Sequence, residues 1–279
     1  MKQQGNINEQ EASIAFSAQA PLFDELYQHN PIIQYKRERV RKHLNQYLTR
    51  GSSILELNAG TGEDAIYFAQ LGHTVQASDI SEGMRKVAME KIERNHLINK
   101  ISYELCSFNE LTSLQNKGPY DYIFSNFAGL NCTDHLEQVV SSFDPLLKAG
   151  GYVTLVIMPR FCLWETLLIF KGKFSTATRR FLPGNRKARV EGKYFNCTYY
   201  SASKVTNYMG KSFDLISLEG LCTIVPPSYM EHFSERHNWL YRWLKNKEEK
   251  YKNKWPWRCI GDYYIITFKK LGESFNLLL

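Results

Sequence analysis

The spacing of apolar residues changes period along this chain, and each change marks a different kind of element. Over the first 50 residues the period is helical. Phe16, Phe23, Leu26 and Tyr27 form one face, Pro31 interrupts it, and Val40, Leu44, Tyr47 and Leu48 form a second face amid charges. Arg50-Gly51-Ser52 ends this segment. From Ser53 short apolar runs alternate with helical stretches. Strands are predicted over 54–57, 74–78, 101–105, 120–125 and 152–158. Helices are predicted over 63–71, 82–95 (capped by Ser81) and 134–147, with Gly150-Gly151 as the turn into the fifth strand. Strands separated by helices of this length imply parallel βαβ units with right-handed crossovers.

After Pro159 the alternation lapses. An apolar helix is predicted over 161–170, then a basic stretch punctuated by Gly and Pro over 171–193. A helix over 201–209 follows, with Ser201 as cap, and then a strand over 213–221. Pro226-Pro227 breaks the chain before a helix over 232–250 that carries Trp239, Leu240, Trp243 and Leu244, and a last strand covers 263–268. The expected architecture is α/β: a doubly wound, mostly parallel sheet of seven strands, with helical insertions in the C-terminal half. It divides into a helical segment at 1–50, a nucleotide-binding core at 51–159, and the rest of the sheet at 160–279 with insertions at about 160–200 and 223–258.

Composition narrows this only slightly. Hydrophobic residues at 43% and charged residues at 23% are ordinary for a globular chain. No run approaches the roughly 20 apolar residues of a membrane span, and the polar start from Met1 to Gln10 has no apolar core of the secretory kind. The six cysteines are scattered without a C-x-x-C pair, so buried reduced thiols in a cytoplasmic protein are expected, with no metal site. Charge changes the picture more. The net charge is +7, yet between Arg160 and Arg258 there are 19 Lys/Arg against 8 Asp/Glu, so the rest of the chain is net acidic. A basic, aromatic-rich C-terminal half can attract an anionic small molecule, a lipid surface or nucleic acid, or be a solvated face.

The informative motif is Glu56-Leu57-Asn58-Ala59-Gly60-Thr61-Gly62, followed 17 residues later by Asp79 at the end of the next strand. A strand that ends in glycines and opens a helix lets a ligand approach backbone amides at a helix N-terminus. A carboxylate ending the neighbouring strand can accept both hydroxyls of a ribose. The loop lacks the Lys-Ser/Thr of a P-loop. It also lacks the third Gly of the dinucleotide fingerprint, although Ala65 is a permitted replacement.

On these residues the chain resembles the class I S-adenosylmethionine-dependent methyltransferases, whose fold is Rossmann-like, over roughly Ala15 to Met158. ILELNAGTGEDAIYFAQLGHTVQASDISEGM resembles the first two motifs, PYDYIFSNFAGLN the fourth strand, and LLKAGGYVTLVIM the start of the fifth. The resemblance implies S-adenosylmethionine as cofactor. Glu56 would hold its methionine end, and Asn58, Ala59, Gly60 and Gly62 would form the loop beneath it. Asp79 and Ile80 would meet the ribose, Met84 the adenine, and Asn126 the far side. Two departures stand out. Asn58 replaces the family's first Gly, and Asn is the residue that best tolerates the left-handed region after Gly. Where the family has an acid after the third strand, this chain reads Cys106-Ser107-Phe108-Asn109. Ser107 would accept the adenine hydrogen bond and Phe108 would stack.

The acceptor side is expected at the carboxyl ends of the strands. His135 is the candidate base, and Phe127, Asn131, Arg160 and Trp164 are expected to border the substrate, with Tyr200 and Tyr229 in a cap. The insertion after the sixth strand interleaves Trp239, Trp243, Trp255 and Trp257 with Arg242, Lys245, Lys247, Lys252 and Arg258. It reads as a lid over a small or lipid-like acceptor, or as an element of peripheral membrane contact. The favoured function is methyl transfer to such an acceptor, with oxygen slightly preferred and natural-product biosynthesis as a setting, by a monomer or homodimer. The alternatives are an RNA methyltransferase and a non-catalytic scaffold. No amino-methylating Asn-Pro-Pro-Tyr-type motif or catalytic-Cys signature supports the first.

Overall fold

The computed structural model describes residues 2–181, 186–230 and 232–272. Two helices open the chain, α1 (Lys2–Gln28) and α2 (Pro31–Leu44), the second capped by Asn30, whose side chain accepts the amides of Ile32 and Ile33. The βα alternation follows: β1 (Ser53–Leu57), α3 (Glu63–Gln70), β2 (Thr74–Asp79), α4 (Glu82–Arg94), β3 (Ile101–Leu105), β4 (Tyr120–Ser125), α5 (Leu136–Ser141) and β5 (Leu147–Ile157). The C-terminal half holds α6 (Leu163–Leu167), α7 (Phe174–Thr178), the hairpin β6 (Arg186–Val190) and β7 (Lys193–Cys197), α8 (Ala202–Met209) and β8 (Phe213–Leu221). It closes with α9 (Phe233–Arg236), α10 (Asn238–Tyr251) and β9 (Tyr263–Lys270).

Seven strands form one sheet in the order β3-β2-β1-β4-β5-β9-β8. β1 to β5 pair in parallel, and β9 runs antiparallel to both β5 and β8. The order reverses between β1 and β4, where an open α/β sheet leaves a crevice for ligands at its carboxyl edge. Both faces of the sheet are apolar and covered, by Phe143 and Val205 on one side and by Val40, Phe68 and Ala88 on the other. Among the described residues no helix is long and apolar enough to cross a membrane.

Four expectations are corrected. The helix over 134–147 stops at Ser141, because β5 begins at Leu147 and residues 148–151 bulge between the pairs Tyr120–Leu147 and Tyr122–Tyr152. Gly150-Gly151 therefore lies inside the strand. The helix over 161–170 is α6 plus a 3₁₀ turn. The helix over 232–250 breaks at His237 (φ −131°, ψ 49°). Within the basic stretch, whose residues 182–185 lie outside those described, Glu191 and Gly192 both have positive φ and make a two-residue hairpin turn.

Buried charges tie the C-terminal half to the core. Glu248, fully buried, accepts the amides of Cys222 (2.9 Å), Thr223 (3.0 Å), Ile224 (2.9 Å) and Val225 (2.8 Å) together with the Tyr35 hydroxyl. Arg39 of α2 bridges Glu248 (3.4 Å) and Glu219 (3.2 Å). Arg180 joins Glu165 (2.6 Å) to Asp262 (2.8 Å), so the buried group of Cys162, Glu165 and Asp262 already holds a cation.

Candidate active site

The floor of the cleft is the loop after β1. Asn58, Gly60 and Gly62 all take positive φ (47°, 55° and 74°), the conformation expected of them. A Cβ on Gly60 would meet nothing within 4 Å, so the backbone there is open to a ligand, whereas one on Gly62 would press on Ala88 at 3.3 Å. The Asn58 side chain donates to the Asn126 carbonyl (2.9 Å) and accepts the Ser125 hydroxyl (2.6 Å), locking this loop to the end of β4.

Three carboxylates face this floor. Asp79 accepts the amides of Gly60 and Ser81, both at 2.9 Å; burial raises its pKa while those amides oppose the rise. Glu56 is buried, and its Oε2 has no partner among the described residues. Burial, and then the like charge of Asp64, push its carboxyl well above the usual range. For Asp64 burial also acts upward, but Arg37 (3.2 Å) and Arg41 (2.7 Å) outweigh it and hold that carboxyl low. The Asn126 amide adds a further bond to Asp64 at 2.8 Å.

The cover is α1. Ala12, Ser13 and Phe16 lie over the loop, and Ser17 pairs with Ser81 (2.7 Å). Asp24 accepts both Thr61 Oγ1 and Lys91 Nζ at 2.6 Å. Glu9, only 2% exposed, accepts Ser107 (2.6 and 2.8 Å) and Asn109 (2.9 Å); its carboxyl is raised by burial. Sequence reasoning missed Glu9, and the only signal for it was the absent acid after β3. The cleft so formed encloses about 850 Å³. A second chamber of about 740 Å³ adjoins it and shares Phe16, Phe23, Arg37 and Phe127, with Lys36 and Tyr263 on its own side.

A sequence model of the methyltransferase domain matches residues 54–151, the stretch that builds this floor and the four strands around it. Residues 54–151 thus match a methyltransferase domain, set in a fold shared with S-adenosylmethionine-dependent methyltransferases. A demethylmenaquinone methyltransferase of Bacteroides fragilis is 30% identical over 143 residues, 49% of this chain and 56% of that enzyme. The chain thus spans little more than half the length of the relatives it matches. Two solved structures share the fold. The 1,6-didemethyltoxoflavin N1-methyltransferase of Burkholderia thailandensis, solved with 1,6-didemethyltoxoflavin and S-adenosylhomocysteine, has a TM-score of 0.58 at 13% identity, covering 96% of this chain and 91% of that one. The geranyl diphosphate C-methyltransferase of Streptomyces coelicolor, solved with geranyl diphosphate, has a TM-score of 0.54 at 11% identity, covering 84% and 79%.

Most of the expected cofactor residues line one cleft: Glu56, Asn58, Ala59, Gly60, Asp79 and Ile80 on one side, Met84, Phe108 and Asn126 on the other. Gly62 sits behind them as the N-cap of α3, and Ser107 is spent on Glu9. Of the expected substrate residues only Phe127 reaches the cavities. Asn131 is fully buried, because a 3₁₀ turn after β4 directs it to Met158 and Thr198, whose backbones it ties together. Tyr200 is buried with its hydroxyl on the Thr133 carbonyl. Arg160 is exposed, Trp164 lies on α6 outside both cavities, and Tyr229 lines a separate groove with Lys171 and Phe233. His135 precedes α5 and faces Asp134 at 3.2 Å, away from the cleft. The four tryptophans expected in a lid line neither cavity, and Trp239 and Trp255 are 77% and 79% exposed. Their insertion is fastened by Glu248 to the back of α2, and the element over the cleft is α1.

Proposed function

We propose that this methyltransferase holds S-adenosylmethionine in the cleft under α1 and transfers its methyl group to a small-molecule acceptor in the adjoining chamber. The residues fit the cofactor. The partnerless Oε2 of Glu56 suits an ammonium group, Asp79 suits a ribose diol beside the open backbone of Gly60, and Met84, Ile80 and Phe108 suit an adenine ring. Bound there, the cofactor supplies a methyl group on a sulfonium, an electrophile that needs only an in-line nucleophile. The chain's own contribution is position and dryness. Phe16, Phe23 and Phe127 wall both cavities, and fixing reactants in this way is worth roughly 7–11 kcal/mol.

The observation that carries this reading is the sharing of four wall residues, Phe16, Phe23, Arg37 and Phe127, between the cleft and the adjoining chamber. The neighbours solved with 1,6-didemethyltoxoflavin and with geranyl diphosphate support a small acceptor and a natural-product setting. Oxygen is the proposed acceptor atom. Radiolabelled methyl transfer into fractionated extract tests the proposal. Label should enter the small-molecule fraction, and label in RNA or protein would overturn the acceptor assignment.

A further inference from the structure

The chamber beside the cleft has an unusual lining. Five aromatic side chains, Ile33 and Ser228 accompany two cations, Lys36 and Arg37, with no carboxylate among the described lining residues. Arg37 is committed: it pairs with Asp64 at 3.2 Å and lies over the Phe127 ring at 5.0 Å. Lys36 is different. Its side chain is only 3% exposed, yet among the described residues the ammonium makes a single hydrogen bond, to Ser228 Oγ at 3.0 Å, where it has three donors to give. The nearest carboxylate oxygen, Asp262 Oδ2, is 3.8 Å away, and the other oxygen of that carboxylate is taken by Arg180 at 2.8 Å. Compensation comes instead from π faces, with Tyr263 at 4.6 Å and Phe127 at 5.7 Å from Nζ. A buried ammonium this poorly paired is costly unless something else completes its shell.

We infer that the chamber takes an acceptor that enters as an anion on a flat, conjugated body, and that Lys36 is the residue that reads its charge. The inference deepens the proposed function and rests on it. The aromatic walls at Phe16, Phe23, Phe127 and Tyr263 accept the planar body, and the two free donors of Lys36 take the anionic oxygen. A conjugated acid of this kind gives up its proton to water before it binds, which agrees with a chamber free of histidine. Lys36 thereby acts as a specificity determinant on the chamber's own side, beyond the wall it shares with the cofactor cleft.

The test uses an anionic probe and its uncharged counterpart. The full chain, with saturating S-adenosylhomocysteine, is titrated by fluorescence with 1-anilinonaphthalene-8-sulfonate and with N-phenyl-1-naphthylamine. Lys36→Met should weaken the sulfonate by about tenfold or more and leave the neutral amine within about twofold, since a hydrogen bond to a charged group has that worth. Lys36→Arg should restore most of the difference, which a general packing defect would not allow. Phe127→Ala should weaken both probes. Equal loss of both probes in Lys36→Met, or no loss of the sulfonate, would overturn the inference, as would two probes indifferent to Phe127→Ala. Calorimetry with S-adenosylhomocysteine keeps the two proposals apart: absence of binding to the unaltered chain would sink the cofactor reading whatever the probes do.

Discussion

The floor of the cleft and its cover are built by different physics. The floor, from Glu56 to Met84, is backbone architecture: three left-handed residues, a helix start and a strand-end carboxylate within one continuous stretch. The cover, α1, is held by side chains that find partners far along the chain, Glu9 on Ser107, Ser17 on Ser81 and Asp24 on Thr61 and Lys91. The floor binds by shape that the loop cannot avoid, while the cover binds by contacts that can each be withdrawn. A ligand that must enter and leave needs one of each.

This contrast can be broken at several points. The largest effect should come from the anchor of the C-terminal insertion: Glu248→Ala takes one of two carboxylates from Arg39 and the acceptor from four buried backbone amides, and should cost about 3–5 kcal/mol in denaturant unfolding. On the floor, Asp79→Ala should weaken S-adenosylhomocysteine by about 2–3 kcal/mol in calorimetry, because two amides and the diol site lose their acceptor. Unchanged binding would remove the cofactor assignment. On the cover, Glu9→Ala should weaken the same ligand by about 1–2 kcal/mol and speed amide exchange in α1 while leaving the exchange of β1 and β2 alone. If all three elements exchange faster together, floor and cover are one unit. Substituting Trp255 by Ala should shift stability by no more than about 0.5 kcal/mol, since it is exposed and outside both cavities.

Proton linkage sharpens the same contrast. Glu56, Asp79 and Glu9 all have carboxyls raised by burial. A raised acid is neutral below its folded pKa, and the cationic end of the cofactor favours its ionised form. Binding should therefore tighten as pH rises through the raised range and release protons, an effect read by calorimetry in buffers of different ionisation enthalpy. Glu56→Gln should abolish most of the proton release.

What could be read in advance follows the same division. Gly60, Asn58 and Asp79 were legible because a left-handed turn and a strand-end acid leave marks within a few residues. Glu9 was not: nothing near residue 9 says that its carboxylate meets Ser107 and Asn109, nearly a hundred residues away. The rule that ligands sit at strand ends gave no warning of Asn131, which the turn at Gly129–Cys132 rotates into the protein. The hairpin β6–β7 escaped notice because its turn is Glu-Gly where Asn-Gly is the usual sign. The tryptophans misled because aromatic content alone does not say which side of an insertion meets the core.

Asn58 carries one more consequence. A Cβ added to Gly129 would lie 2.2 Å from the Asn58 Cγ, so the amide occupies the volume that a side chain at 129 would need. The two positions trade space across the switch point. Gly129→Ala alone should loosen the loop, and Asn58→Gly alone should leave the Ser125 hydroxyl without its acceptor. Made together, the two changes should recover much of what the first one loses, because positions 58 and 129 draw on the same space.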